Sequence, residues 1–127
     1  MNNKFKIWIK DEHRFVKNEC RIKYKDNSIT GIIEYIDAPE DLEYSINEID
    51  IIHSINLYDM NNKEIYEGDI LKIDNDFIIV NWNNRSLSFC LNKTGWMYSH
   101  WFYESVNPED CEIIDNKYEN PELFNKV

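Results

Sequence analysis

The sequence predicts a mainly β protein, α+β at most. Its centre is a small twisted SH3-like β-barrel core with extra N-terminal strands and a short C-terminal helical turn. Three observations carry this. Apolar residues recur with period two rather than 3.6 along most of the 127 residues, the pattern of half-buried strands. The runs between them are short and rich in Asn, Asp and Ser, which favour turns. Residues 70–91 form a meander of short strands, the connectivity of a small barrel.

The elements follow in chain order. Phe5, Ile7 and Ile9 alternate with Lys4, Lys6, Trp8 and Lys10, a half-buried first strand with Trp8 on its outer face. Asp11, Glu12 and His13 turn the chain into a second strand at residues 14–16. Residues 21–25 alternate again, and Asp26, Asn27 and Ser28 make a turn. Residues 29–36 read as a strand in which Gly31 suits a bulge. Asp37, Ala38, Pro39 and Glu40 end it. Residues 50–57 are β-branched and read as a strand, and Asn61-Asn62 is a tight-turn pair. Residues 70–73 and 77–82 flank Asp74, Asn75 and Asp76 as a hairpin. Asn83-Asn84 turns into a strand at 86–91, and further strands are expected at 100–104 and 112–114. Helix is limited to one turn after Asn107-Pro108 and one opened by Asn120-Pro121, where Asn can cap and Pro suits the first helical position.

The length fits one domain, 1–127. Residues 1–60 supply N-terminal strands and an acidic segment, and 61–127 the barrel-like meander and a C-terminal motif. Such a chain buries roughly two-thirds of its unfolded surface. An aromatic content of 14% and 19 Ile argue against disorder. Cys20, Cys90 and Cys111 are odd in number and lack metal-type spacing, so reduced thiols in an intracellular protein are expected. The first residues lack the apolar run of a signal peptide, and no apolar run is long enough to span a membrane.

Fourteen Lys and Arg face 24 Asp and Glu, a formal charge of −10. That balance disfavours non-specific binding to nucleic acid or anionic lipid. The charge is uneven: residues 1–25 hold eight bases and three acids, and residues 34–50 hold seven acids and no base. One outcome is a solvating coat on strand edges and loops. The other is a polarised molecule whose acidic side, with Glu34, Asp37, Glu40, Asp41 and Glu43, docks on a basic partner.

Catalytic and metal signatures are missing. Gly31, Gly68 and Gly95 are too dispersed for a phosphate loop. His13, His53 and His100 lack a zinc motif. Asp74 and Asp76 flank a hairpin turn, where acids are commonly turn formers. Residues 59–63 begin like a calcium loop, but Lys63 occupies the fifth position and the following Gly is missing. Ser86, Ser88 and Cys90 alternate along one strand with no His nearby. No enzyme activity, cofactor or metal is therefore expected. The stretch 96–103 holds five aromatics. Trp96, Tyr98, Trp101 and Tyr103 belong either to the core under a lid or to a recognition patch of the kind interfaces use. A base-stacking platform is the third option, weakened by the lack of a basic stripe beside it.

Residues 63–71, Lys-Glu-Ile-Tyr-Glu-Gly-Asp-Ile-Leu, resemble a signature of the YopX family of phage and prophage proteins, with Tyr66, Glu67, Gly68 and Asp69 at its centre. Residues 118–123, with Tyr118, Asn120, Pro121 and Leu123, resemble that family's C-terminal motif, and Lys4, Phe5, Lys6, Ile7 and Trp8 resemble its opening. Before the middle motif, Asn56 and Asn62 stand where the family has Gly. Asn tolerates left-handed backbone, so both turns can survive. In the middle motif Gly68 suits positive φ, and Asp69 can hold the turn by accepting backbone N–H groups. The resemblance implies a β-rich phage accessory protein acting inside a bacterial host, and no particular reaction. The function expected is non-enzymatic binding to a host or phage protein with a basic surface, an acidic face there competing with nucleic acid for a basic groove. The alternative is a nucleic-acid-binding module using the basic N-terminal segment and the aromatic stretch. Homo-oligomerisation stays open.

Overall fold

The computed structural model describes residues 4–36, 40–93, 100–104 and 106–124. The protein is mainly β, with a curled half-barrel sheet. It divides into two compact units. The smaller is Lys6–Ile52, and the larger joins Met1–Phe5 to His53–Val127. No helix among the described residues is long and apolar enough to cross a membrane.

The smaller unit is built on β1 (Phe5–Ile9), β2 (Arg14–Phe15), β3 (Cys20–Lys25), β4 (Ser28–Glu34), β5 (Leu42–Ser45) and the first part of β6 (Ile49–Tyr58). The β1–β2 pair aligns Trp8 with Phe15. Trp8 is buried, edge-on to His13 and Phe15 at 4.9 Å each, which corrects the expectation that it faces outward. The β3–β4 hairpin turns through Asp26 and Asn27, both at positive φ, the backbone of a turn whose twist matches the strands. The expected irregularity at Gly31 is present, since the register shifts where Lys23 faces Gly31 and Tyr24 faces Ile29. A Cβ on Gly31 would lie 2.1 Å from the Tyr44 carbonyl oxygen on β5. Ile7, Ile9, Ile32, Tyr44 and Ile49 form the core.

The larger unit contains the rest of β6, paired with β7 (Glu64–Tyr66). A second sheet has the order β10-β9-β8-β11, made of β8 (Asp69–Ile73), β9 (Asp76–Asn83), β10 (Ser88–Asn92) and β11 (Glu112–Asn116). Asp74-Asn75 joins β8 to β9 as expected, with Asp74 at positive φ. Asn83 Oδ1 accepts from the backbone N–H groups of Arg85 and Ser86, bending the chain before β10. The single turns after Asn107 and at the C-terminus are a 3-10 turn, Pro108–Asp110, and α1 (Pro121–Phe124). The core is Ile65, Leu71, Ile78, Val80, Leu91, Val106 and Cys111.

The strand expected at 100–104 is not formed. His100 makes one isolated bridge with Leu91, and the chain then reverses. Trp101 N–H donates to Glu104 Oε2 at 3.0 Å, and Tyr103 N–H donates to the Val106 carbonyl at 2.6 Å. The Glu104 side chain thus closes a local turn that competes with ladder pairing.

Candidate partner-binding site

The reversal after His100 shapes a cleft of about 510 Å³ in the larger unit. Ile55, Leu57 and Phe89 line it and pack against the core. Trp101, Phe102 and Tyr103 form an aromatic side. Ser86 and Ser88 supply hydroxyls, with the two Oγ atoms 2.7 Å apart. The sequence signal for this polar strip was the alternation of Ser86, Ser88 and Cys90. The apolar lining from β6 had no such signal, because it comes from 29 or more residues away in sequence.

Trp101 and Tyr103 are exposed, at 49% and 63%. The indole N–H of Trp101 donates to Cys90 Sγ at 3.0 Å. Its polar edge is therefore satisfied within the protein. Tyr103 has φ of +71°, a left-handed conformation that costs a side-chain-bearing residue roughly 1–2 kcal/mol. Near the cleft, Leu87 and Trp82 are also exposed. Trp82 lies across the ladder from Phe89, with the rings 5.0 Å apart and edge-on. Trp96 and Tyr98 lie outside the described residues, as does Asp37.

The acidic candidates part company. Glu34 is fully buried, a correction to its expected place on a docking surface. Arg14 holds it through Nη2–Oε1 at 2.8 Å and Nη1–Oε2 at 3.3 Å, and Asn18 Nδ2 donates at 3.1 Å. Arg14 also donates to Glu12 and to the Tyr44 hydroxyl, and that hydroxyl donates to Glu12 at 2.6 Å. A carboxylate this deep is tolerated only because it is paired and hydrogen-bonded. The Arg14 bonds hold the Glu34 carboxyl below the usual range, against the opposing push of burial. Glu40, Asp41 and Glu43 are exposed. Asp41 accepts from Ile36 N–H at 3.0 Å, and Glu43 pairs with Lys23. Lys10 reaches Asp50 at 3.9 Å. Lys10, Arg14 and Lys23 of the basic segment therefore pair with acids of the acidic segment within the smaller unit.

The two longer motifs interlock. Gly68 has φ of +90°, and a Cβ there would lie 2.5 Å from the Tyr118 ring. Its N–H donates to Val80 and its carbonyl accepts from Lys117 N–H. The Glu67 carboxylate accepts from the Tyr118 hydroxyl and, at 2.8 Å, from Lys117 Nζ. Asp69 is buried, and its Oδ2 accepts from Tyr66 N–H at 2.8 Å, as its position in the motif suggested. Tyr66 and Leu123 are half-buried, Pro121 opens α1, and Asn120 donates to Asp115 at 3.2 Å. Asn56 and Asn62, at φ of +60° and +61°, take the left-handed backbone expected of them. Sequence reasoning gave Asp59 no structural role. It is buried, and its carboxylate accepts from Asn61, Lys63 and Ile113 N–H groups, each at 2.9 Å. Burial pushes its carboxyl up, but these three donors outweigh it and hold the group below the usual range.

Among the described residues, no group of three or more His, Cys, Asp or Glu could hold a metal ion. The three cysteines are unpaired with one another. Burial pushes the Cys111 thiol up to about 11.

The middle and C-terminal motifs thus interlock on a β scaffold. The chain belongs to the YopX protein family, whose model matches residues 4–125. No curated protein matches it. Among solved structures it is similar to the crystal structure of protein EF1440 from Enterococcus faecalis. The TM-score is 0.64 at 21% identity, covering 97% of this chain and 98% of that one. The likeness is one of fold.

Proposed function

We propose that this YopX protein is a non-enzymatic phage or prophage accessory protein of the bacterial cytoplasm that binds a host or phage protein with a basic surface. In this reading its acidic surface competes with nucleic acid for a basic groove on that partner, as an inhibitor of a host defence factor would. The observation that carries the reading is the exposed aromatic side of the cleft, Trp101 and Tyr103, in a unit of net charge −6. Aromatic anchors beside a charge field are how protein interfaces combine affinity with steering.

Direct nucleic-acid binding is less well supported. Lys10, Arg14 and Lys23 of the basic segment are engaged by carboxylates, and the smaller unit is net negative, with seven bases and eleven acids. The test is affinity capture from host lysate followed by titration of the captured protein in rising salt. Salt-weakened binding of a basic protein is the expected result. Retardation of DNA or RNA at low salt, with no protein captured, would replace this reading with the rival.

A further inference from the structure

We infer that the cleft lined by Trp101, Tyr103 and the Ser86–Ser88 hydroxyl pair seats an arginine side chain of the protein partner. This rests on the partner-binding reading above and deepens it.

Three features select the occupant. The first is charge. Seven acids and four bases are exposed among the described residues of the larger unit, and Glu104 sits in the turn that carries both rings. Across the unit as a whole that excess favours a cation over an anion, with the exposed Arg85, next to Ser86, as the opposing charge at the cleft. The second is shape and polarity. The cleft joins an apolar base and aromatic rings to two hydroxyls. A guanidinium presents a flat, weakly hydrated face that stacks on aromatics, and its edge N–H groups can donate to hydroxyl oxygens. Its methylene stem suits Ile55, Leu57 and Phe89. A lysine ammonium is more strongly hydrated and has no face to stack.

The third feature is strain. Tyr103 keeps a bulky side chain at φ of +71° with its ring exposed. Glycine would adopt that backbone without penalty. Unfavourable backbone retained at an exposed ring suggests that the ring has work to do. The Cys90 bond to the Trp101 indole N–H fixes that ring's edge and helps preorganise the stacking side.

The experiment titrates the full chain with the peptide acetyl-Gly-Arg-Gly-amide. Matched peptides carry citrulline, lysine or norleucine at the centre. The readout is the NMR signal of the Trp101 indole N–H. The arginine peptide should shift it saturably, with at least tenfold weaker response to citrulline, which is isosteric and uncharged, and to norleucine. Lysine should fall between. Tyr103→Gly should keep the folded spectrum and lose at least fivefold in arginine affinity. A second variant, Ser88→Ala, should weaken arginine more than lysine. Equal responses to arginine and citrulline, or no saturable response to arginine, would overturn the assignment. A captured partner that binds Tyr103→Gly and wild type equally, with salt sensitivity intact, would sink the arginine seat and leave acidic docking standing. Loss of salt sensitivity would instead sink the docking reading.

Discussion

Gly68 turns the chain with φ of +90° while its missing Cβ leaves room for the Tyr118 ring. Gly68→Ala meets both the left-handed penalty and a 2.5 Å clash. We expect a loss of about 2–4 kcal/mol by chemical denaturation; a loss below about 0.5 kcal/mol would mean that the ring moves aside freely. Glu34 makes a separate prediction. Removing its charge leaves Arg14 without its buried partner, so Glu34→Gln should cost about 3 kcal/mol near neutral pH. Because the folded carboxyl is held low, its contribution is full above the ordinary carboxylate range. It is lost as pH falls below about 4. The gap between wild type and Glu34→Gln should therefore narrow on going from pH 7 to pH 3, measured as denaturation midpoints. At this scale the sequence was legible where backbone chemistry is local. Asn56, Asn62, Gly68 and Asp69 could be assigned because each answers to a turn within a few residues. Glu34 could not, because its fate depends on Arg14, 20 residues away.

Hairpins were the most legible elements. Asp26-Asn27 and Asp74-Asn75 mark turns flanked by alternating strands, and both strand pairs formed. β5 and β7 were missed because each is too short to display a period. The aromatic stretch 100–104 was expected as a strand, yet it folds as a turn because Glu104 bonds the backbone of Trp101. Long-range side-chain bonds then tie elements together. Glu67, before β8, holds Tyr118 and Lys117, just after β11. Tyr118→Phe should cost about 1.5–3 kcal/mol, the value of a hydrogen bond to a charged group. A double-mutant cycle with Glu67→Gln should return a coupling of about 1 kcal/mol or more. Additive losses would show that the hydroxyl bond contributes nothing. Asp59 does the same for the 59–63 turn and β11. Asp59→Asn replaces an ionic acceptor of three N–H groups and should cost about 2 kcal/mol by the same assay.

On the scale of the whole molecule, the formal charge of −10 hides two different outcomes. In the smaller unit the basic and acidic segments, opposed along the sequence, meet in Lys10–Asp50, Arg14–Glu34 and Lys23–Glu43. Charges opposed along the chain meet in space at these three pairs, because strands distant in sequence are neighbours in a sheet. The larger unit carries an acid excess and also holds the aromatic cleft. The cleft itself was half legible: the aromatic stretch and the Ser86–Ser88 alternation pointed to it, but its lining from β6 did not. This surface is proposed to bind a basic protein. Its most direct test is the dissociation constant for the captured partner, measured from about 0.05 to 0.5 M salt, a range over which screening rises steeply. Affinity should fall at least tenfold across that range for wild type, and Tyr103→Gly should be weaker at every salt. An affinity independent of salt, or the failure of any basic protein to bind, would contradict the claim.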